Sequence, residues 1–322
     1  KFPNGKVTRA MSNRTLPRIL QTPAVVLLLI WMLVPLSMTL YFSFIRYVLN
    51  SSIRPEWTTP ALSNWRGFGN YKYVLDAKDF WFAIQNSVFI VSSILLITVV
   101  LGLGIAVLIN RSFPGRGIVR VLLISPFFVM PAVNAVLWIN MILDPVLGLQ
   151  GLAVGGVNNI IDGLRDFPVL GYFFNLWPTF EPISFRATQT SAYAVIMMVS
   201  WQWTPFAVLI FMTSLQSEDE SQKEAATLDG ASPWSQFINL TVPHLARPIA
   251  IVVMIQSIFH LSLYAEIEIV SRGNGNKNLP YLIGEFTSNN IGAASATGIF
   301  AVILANIIAI FLLRMVGKSL MD

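Results

Sequence analysis

The chain has no cysteine, only two histidines and few charges. Without cysteine, disulfides, thiolate nucleophiles and thiolate metal sites are excluded. His244 and His260 stand too far apart to suggest a metal site between them. There is no Gly-x-x-x-x-Gly-Lys-Ser/Thr run, so the chain carries no phosphate-cradling loop for nucleotide hydrolysis. Charged residues make up 11% and apolar residues 55% of the sequence, whereas a soluble globular protein carries roughly a quarter charged residues. The apolar excess must face something other than water. The net charge of +5 does not require nucleic acid, because basic loops on a membrane protein set its orientation.

What the sequence has instead is long apolar runs. A spanning helix needs roughly 20 mostly apolar residues. Six stretches meet that length: Ala24–Phe44, Asn86–Ile109, Val119–Leu143, Tyr193–Leu215, Ile249–Ile269 and Thr297–Val316. The first is too long for a signal-peptide core and no small-x-small cleavage pattern follows it, so it is expected to stay in the mature protein. Pro35 falls inside the first run, and Pro126 and Pro131 interrupt the third. Such prolines are either ordinary kinks or positions where the chain lines a path.

Loop charge orients the stack. Residues 1–23 form a tail with Lys1, Lys6, Arg9, Arg14 and Arg18 and no acid. The turn after the second span holds Arg111, Arg116 and Arg120, again without an acid, and Arg314 and Lys318 close the chain. Lys and Arg near span ends mark the cytoplasmic face, so both termini are expected there, with residues 24–322 as the transmembrane domain. The first outer loop also holds basic residues, but it is long and mixed with acids, and the rule weighs short loops most.

The polar stretch 216–247 lies between spans four and five. Ser217 with Glu220 reads as a capping box, Gly230 as a left-handed helix end, and Ser232-Pro233 as the cap and first residue of a second helix. The expected fold is therefore an all-α integral membrane protein of six transmembrane helices with a helix-turn-helix between spans four and five.

The run Glu224-Ala225-Ala226-x-x-Asp229-Gly230-Ala231, with Phe237, Pro243 and Pro248 beyond it, resembles the coupling-loop signature of binding-protein-dependent ABC importer permeases. Its Asp-Gly-Ala form is similar to the carbohydrate, maltose-type branch. Asn86-Ser87, Leu108-Ile-Asn110, Ser125-Pro126 and Asp144-Pro145…Gly148…Asn158 extend the resemblance over most of residues 85–318. The resemblance implies a subunit of an importer of a sugar or sugar alcohol in a bacterial or archaeal inner membrane. It also implies a second homologous permease, two cytoplasmic ATPase subunits that bind ATP and magnesium, and a periplasmic or lipid-anchored solute-binding protein. This chain would bind no cofactor itself. Glu224 would be the ionic contact to the ATPase, Asp229 would shape the turn, Gly230 would permit it, and the small Ala225, Ala226 and Ala231 would allow close approach.

By the same resemblance, a transmembrane sugar site falls on Trp203 and Phe206 of span four and on Gln256, Phe259, His260 and Leu263 of span five. The four span-five positions recur at i, i+3, i+4 and i+7, one face of a helix, which suits a common lining or a packing face. Trp203 is otherwise a core aromatic, and His260 a packing histidine. His260 and Leu263 stand where the maltose branch would place amides, so a polyol is an attractive substrate. Glu266 and Glu268 are expected to be solvated or paired at the outer end of span five. An ion- or proton-coupled secondary transporter is the alternative; it predicts internal repeats with broken helices, and no convincing repeat is found.

Overall fold

The computed structural model describes residues 15–49, 54–167, 174, 176 and 178–321. Lys1, Lys6, Arg9 and Arg14 of the basic tail lie outside them. Among the described residues every regular element is a helix, and only two isolated bridges, Ile45–Trp65 and Val48–Asn290, pair extended backbone.

Helix α1 is Thr15–Ser43, α2 Gly69–Asp76 and α3 Lys78–Asn110. Helix α4, Arg116–Ile124, runs on through Ser125–Phe128, and α5, Pro131–Leu137, continues in wider turns to Ile142. Next come α6 (Leu149–Arg165), α7 (Ser191–Leu215), α8 (Glu220–Leu228) and α9 (Pro233–Gln236), which is extended through Phe237–Thr241 to His244. The chain closes with α10 (Ala246–His260), α11 (Ala265–Ser271), α12 (Leu279–Thr287) and α13 (Ile291–Met321).

Four helices, α1, α3, α7 and α13, are long and apolar enough to cross a membrane, and two bent pairs raise the number to six if each pair is one span. The third predicted span is one of these. Between Phe128 and Pro131 it bends by 102°, because proline both lacks a donor and pushes the preceding residue out of helical geometry. Met130 accordingly takes φ −60°, ψ 139°.

The fifth span departs most from its predicted bounds. Instead of a continuous Ile249–Ile269, α10 ends at His260, the chain turns, and α11 begins at Ala265. At its other end α10 meets the α9 segment at 55°. No Pro or Gly announces the stop after His260; the apolar run conceals it.

The core is built on α3 against α7, which lie parallel. Ile90 and Ile94 pack with Val195 and Val199 at one end, and Ala106 and Ile109 with Phe211 and Leu215 at the other. Gly102 makes that approach possible, since a Cβ there would come within 2.7 Å of the Ala207 Cβ. Small residues serve this purpose where lipid supplies no hydrophobic drive between helices. Helix α1 packs along α13, and the rest of its surface is left bare. Buried Asn70 ties its end down, donating to the carbonyls of Ser43 (2.9 Å) and Ile45 (2.7 Å).

Candidate functional site

The segment after α7 closes on itself through short-range bonds. Asp219 caps α8 by accepting from the Ser221 amide at 2.9 Å, and these hydrogen bonds hold its carboxyl below the ordinary carboxylate value. Ser217 instead bonds back to the Ser214 carbonyl, so the capping box expected from Ser217 and Glu220 does not form. An acid two residues nearer the helix takes the cap. At the other end Gly230 has φ +81°. The Ala231 amide donates to Ala226 (2.9 Å) and the Gly230 amide to Thr227 (3.1 Å), the paired bonds that end a helix on a left-handed residue. Ser232 then accepts from the Ser235 amide at 3.3 Å, with Pro233 at the first position of α9.

This closed turn displays its side chains outward. Glu224, Ala225 and Asp229 are exposed, Ala226 and Ala231 half-buried, and Glu224 has no ion-pair partner among the described residues. Leu228 is 89% exposed and Trp234 71% exposed. Neither was singled out in sequence, although a leucine in an otherwise polar helix is a readable signal. Glu218 anchors the segment: it pairs with Lys223 at 2.8 Å and accepts from Thr241 at 2.8 Å. It thereby ties α8 to the helix leading into α10.

Within the membrane-spanning body, Trp203 is the hub of an aromatic cluster. Its ring lies 5.0 Å from Phe259, 5.0 Å from His260, 5.4 Å from Phe127 and 5.9 Å from Phe206. The structure thus brings Trp203, Phe206, Phe259 and His260 together. His260 is buried, and among the described residues neither ring nitrogen has a hydrogen-bond partner.

Gln256 and Leu263 behave differently. Gln256 is fully buried; its carbonyl accepts from Thr98 at 2.7 Å and its amide donates to the Trp203 carbonyl at 3.4 Å. Both ends of its side chain are engaged between helices. Leu263 lies beyond the end of α10 and packs in the α3–α7 core, while its carbonyl accepts from Asn278. The shared helical face therefore stops at His260, and Phe259 on it is exposed where Gln256 and His260 are buried. Glu266, expected at a wet interface, is buried in α11.

A second polar pair was not anticipated in sequence. Asn134 of α5 donates to the Met198 carbonyl and to the Gln202 side chain, both at 3.1 Å, and Gln202 donates to the Val129 carbonyl. Gln202 thus satisfies a carbonyl freed by the bend in the third span. Only isolated polar residues in apolar runs hinted at this; their pairing across 68 positions is tertiary.

The long apolar helices and the two bent pairs mark a multi-span membrane protein. A family model described as "Binding-protein-dependent transport system inner membrane component" matches residues 98–322, and the chain belongs to that family. It is 23% identical to the trehalose transport system permease SugA of Mycobacterium tuberculosis, over 96% of this chain and 91% of that one. With the trehalose/maltose permease MalF of Thermococcus litoralis it shares 28% identity over 72% of this chain and 68% of that protein. The bacterial alginate ABC transporter in complex with its pentasaccharide-bound periplasmic protein has a chain of the same fold. It matches with TM-score 0.69 and 20% identity, covering 93% of each chain.

Proposed function

We propose that this chain is one permease subunit of an ATP-binding-cassette importer for a sugar or sugar alcohol, working by alternating access. The observation that carries this reading is the turn from Glu224 to Ala231, closed internally yet displaying an unpaired carboxylate and bare Leu228 and Trp234. In this reading Leu228 and Trp234 give the segment apolar side chains for a partner that its own closure does not use.

In this reading six spans place both termini and α8 in the cytoplasm. Two separate ATPase subunits dock on α8 and α9, Glu224 makes the ionic contact, and ATP-driven closure moves the segment as a lever. Glu218, joined to both Lys223 and Thr241, passes that movement into α10. A second, homologous permease completes the gate, and a periplasmic or lipid-anchored binding protein delivers the solute. The chain performs no hydrolysis of its own.

The solute site is proposed at the aromatic cluster. Sugars and polyols present C–H faces that stack on rings and hydroxyls that need donors and acceptors. Trp203, Phe206 and Phe259 offer the rings, and the unpartnered His260 imidazole both donates and accepts. Gln256 acts there by positioning α10 against α3. Leu263 shapes the turn behind His260. The trehalose and maltose relatives favour a carbohydrate.

Glu224→Lys or Gly230→Pro is expected to abolish co-purification of the ATPases or stimulation of ATP hydrolysis by loaded binding protein. Normal assembly and transport in both variants would overturn the coupling assignment. His260→Ala is expected to change the ranking of sugars and polyols that stimulate hydrolysis while the ATPases stay bound.

A further inference from the structure

Three arginines, Arg111, Arg116 and Arg120, follow the end of α3 with no acid among them. Arg116 and Arg120 are one turn apart on α4 and so share a face. Among the described residues neither side chain makes a hydrogen bond or ion pair, yet Arg116 Nε and Arg120 Nε and Nη2 are shielded from solvent. A shielded guanidinium nitrogen without an acceptor is costly, so the acceptor is to be sought outside the described residues.

The surroundings say what kind. Arg120 lines a narrow crevice together with Ile109, Val208 and Met212. That crevice shares Leu123 and Pro205 with a wider cleft of 670 Å³ between α3, α4 and α7, lined by apolar side chains such as Leu101, Ile105, Val119 and Leu122. Beside the cleft, Ile118 and Val121 point outward and are exposed. Arg120 thus lines a crevice that adjoins an apolar groove, Arg116 stands one turn before it on α4, and exposed apolar side chains lie beside the groove. Because Ile109 and Met212 line the crevice, it lies toward the end at which α7 gives way to the coupling segment.

We infer that this groove holds one anionic phospholipid, with its phosphate on Arg116 and Arg120 and an acyl chain along Ile105, Val119 and Leu122. A phosphate offers several acceptor oxygens to two guanidinium forks, and basic pockets between spans at the cytoplasmic side are suited to anionic headgroups. The bound lipid would brace α4, the segment that precedes the bend at Phe128–Pro131, against α7. The leaflet rests on the orientation proposed above; the site requires only that the arginines reach a headgroup layer.

The test is native mass spectrometry of the full chain, purified with its bound subunits and exposed to phosphatidylglycerol, phosphatidylcholine or inorganic phosphate. Wild type is expected to retain phosphatidylglycerol, and Arg116→Gln/Arg120→Gln to retain it about 10-fold or more weakly. Arg116→Lys/Arg120→Lys, which keeps the charge, should recover part of the binding and controls for misfolding. A photo-crosslinking residue at Leu122 should label lipid. Equal retention of phosphatidylcholine, equal retention by the Gln variant, capture of inorganic phosphate alone, or a crosslink to another polypeptide would each overturn the proposal. The same spectra report whether ATPase subunits stay attached, so failure of the coupling reading is seen separately from failure of the lipid site.

Discussion

The seam between α3, α5, α7 and α10 and the turn from Asp219 to Ser235 handle their polar groups in opposite ways. In the seam, Asn134, Gln202, Thr98 and Gln256 find partners on other helices, because hydrocarbon offers none and an unpaired buried polar group is costly. In the turn, nearly every bond is made within a few residues, and the side chains left over face water. The seam is rigid because it is non-local. The turn can move as one body because its own bonds do not depend on the rest of the chain, apart from the Glu218 tether.

That contrast can be broken from either side. The largest effect is expected from Gln202→Leu, which strands the Val129 carbonyl at the bend and leaves Asn134 short of an acceptor. It should cost about 1–3 kcal/mol, read as a lower Tm of the detergent-solubilised protein, with ATPase attachment unchanged. Pairing it with Asn134→Leu should cost less than the sum of the single changes, since contacting residues couple. Additive losses would mean that the two amides do not act as a unit.

Gly230→Val attacks the turn. A β-branched residue at φ +81° carries a local strain of about 1–2 kcal/mol, yet the body's Tm should barely move. ATPase attachment should weaken instead, and a matching fall in Tm would show the turn to be part of the global fold.

A smaller change is expected from Thr98→Val, which removes the donor to Gln256 and should cost about 1 kcal/mol. If it alters the choice of solute as well as Tm, Gln256 is more than a packing residue.

The smallest effect concerns pH. Folding holds the Asp219 carboxyl below its ordinary value of 3.8, so its capping contribution is whole above that pH and fades as pH falls through the folded value. Amide exchange in α8 should therefore quicken only in acid, and Asp219→Asn should remove that dependence. Loss of protection near neutrality would point to another group.

Much of the architecture was readable because it rests on local chemistry. The four long helices follow from apolar length, and the turn at Gly230 from a glycine followed by Ser-Pro. The third span's break sits where Pro126 and Pro131 announced it. What stayed hidden was the stop after His260, the choice of Asp219 over Ser217 as the cap, and the loss of Leu263 from the helical face. In each case more than one local reading was open, and contacts from elsewhere, or a single competing acid, decided between them.

By itself, then, the sequence determined that this is a membrane protein with long spans and a self-closing polar turn, because hydropathy and capping act over a few residues. Only the tertiary structure decided which polar side chains are consumed in holding helices together and which are left over. Gln256 is consumed, whereas the side chains of His260, Arg116 and Arg120 keep buried nitrogens without partners among the described residues. That division depends on helices brought together across most of the chain, where burial makes an unmade hydrogen bond expensive.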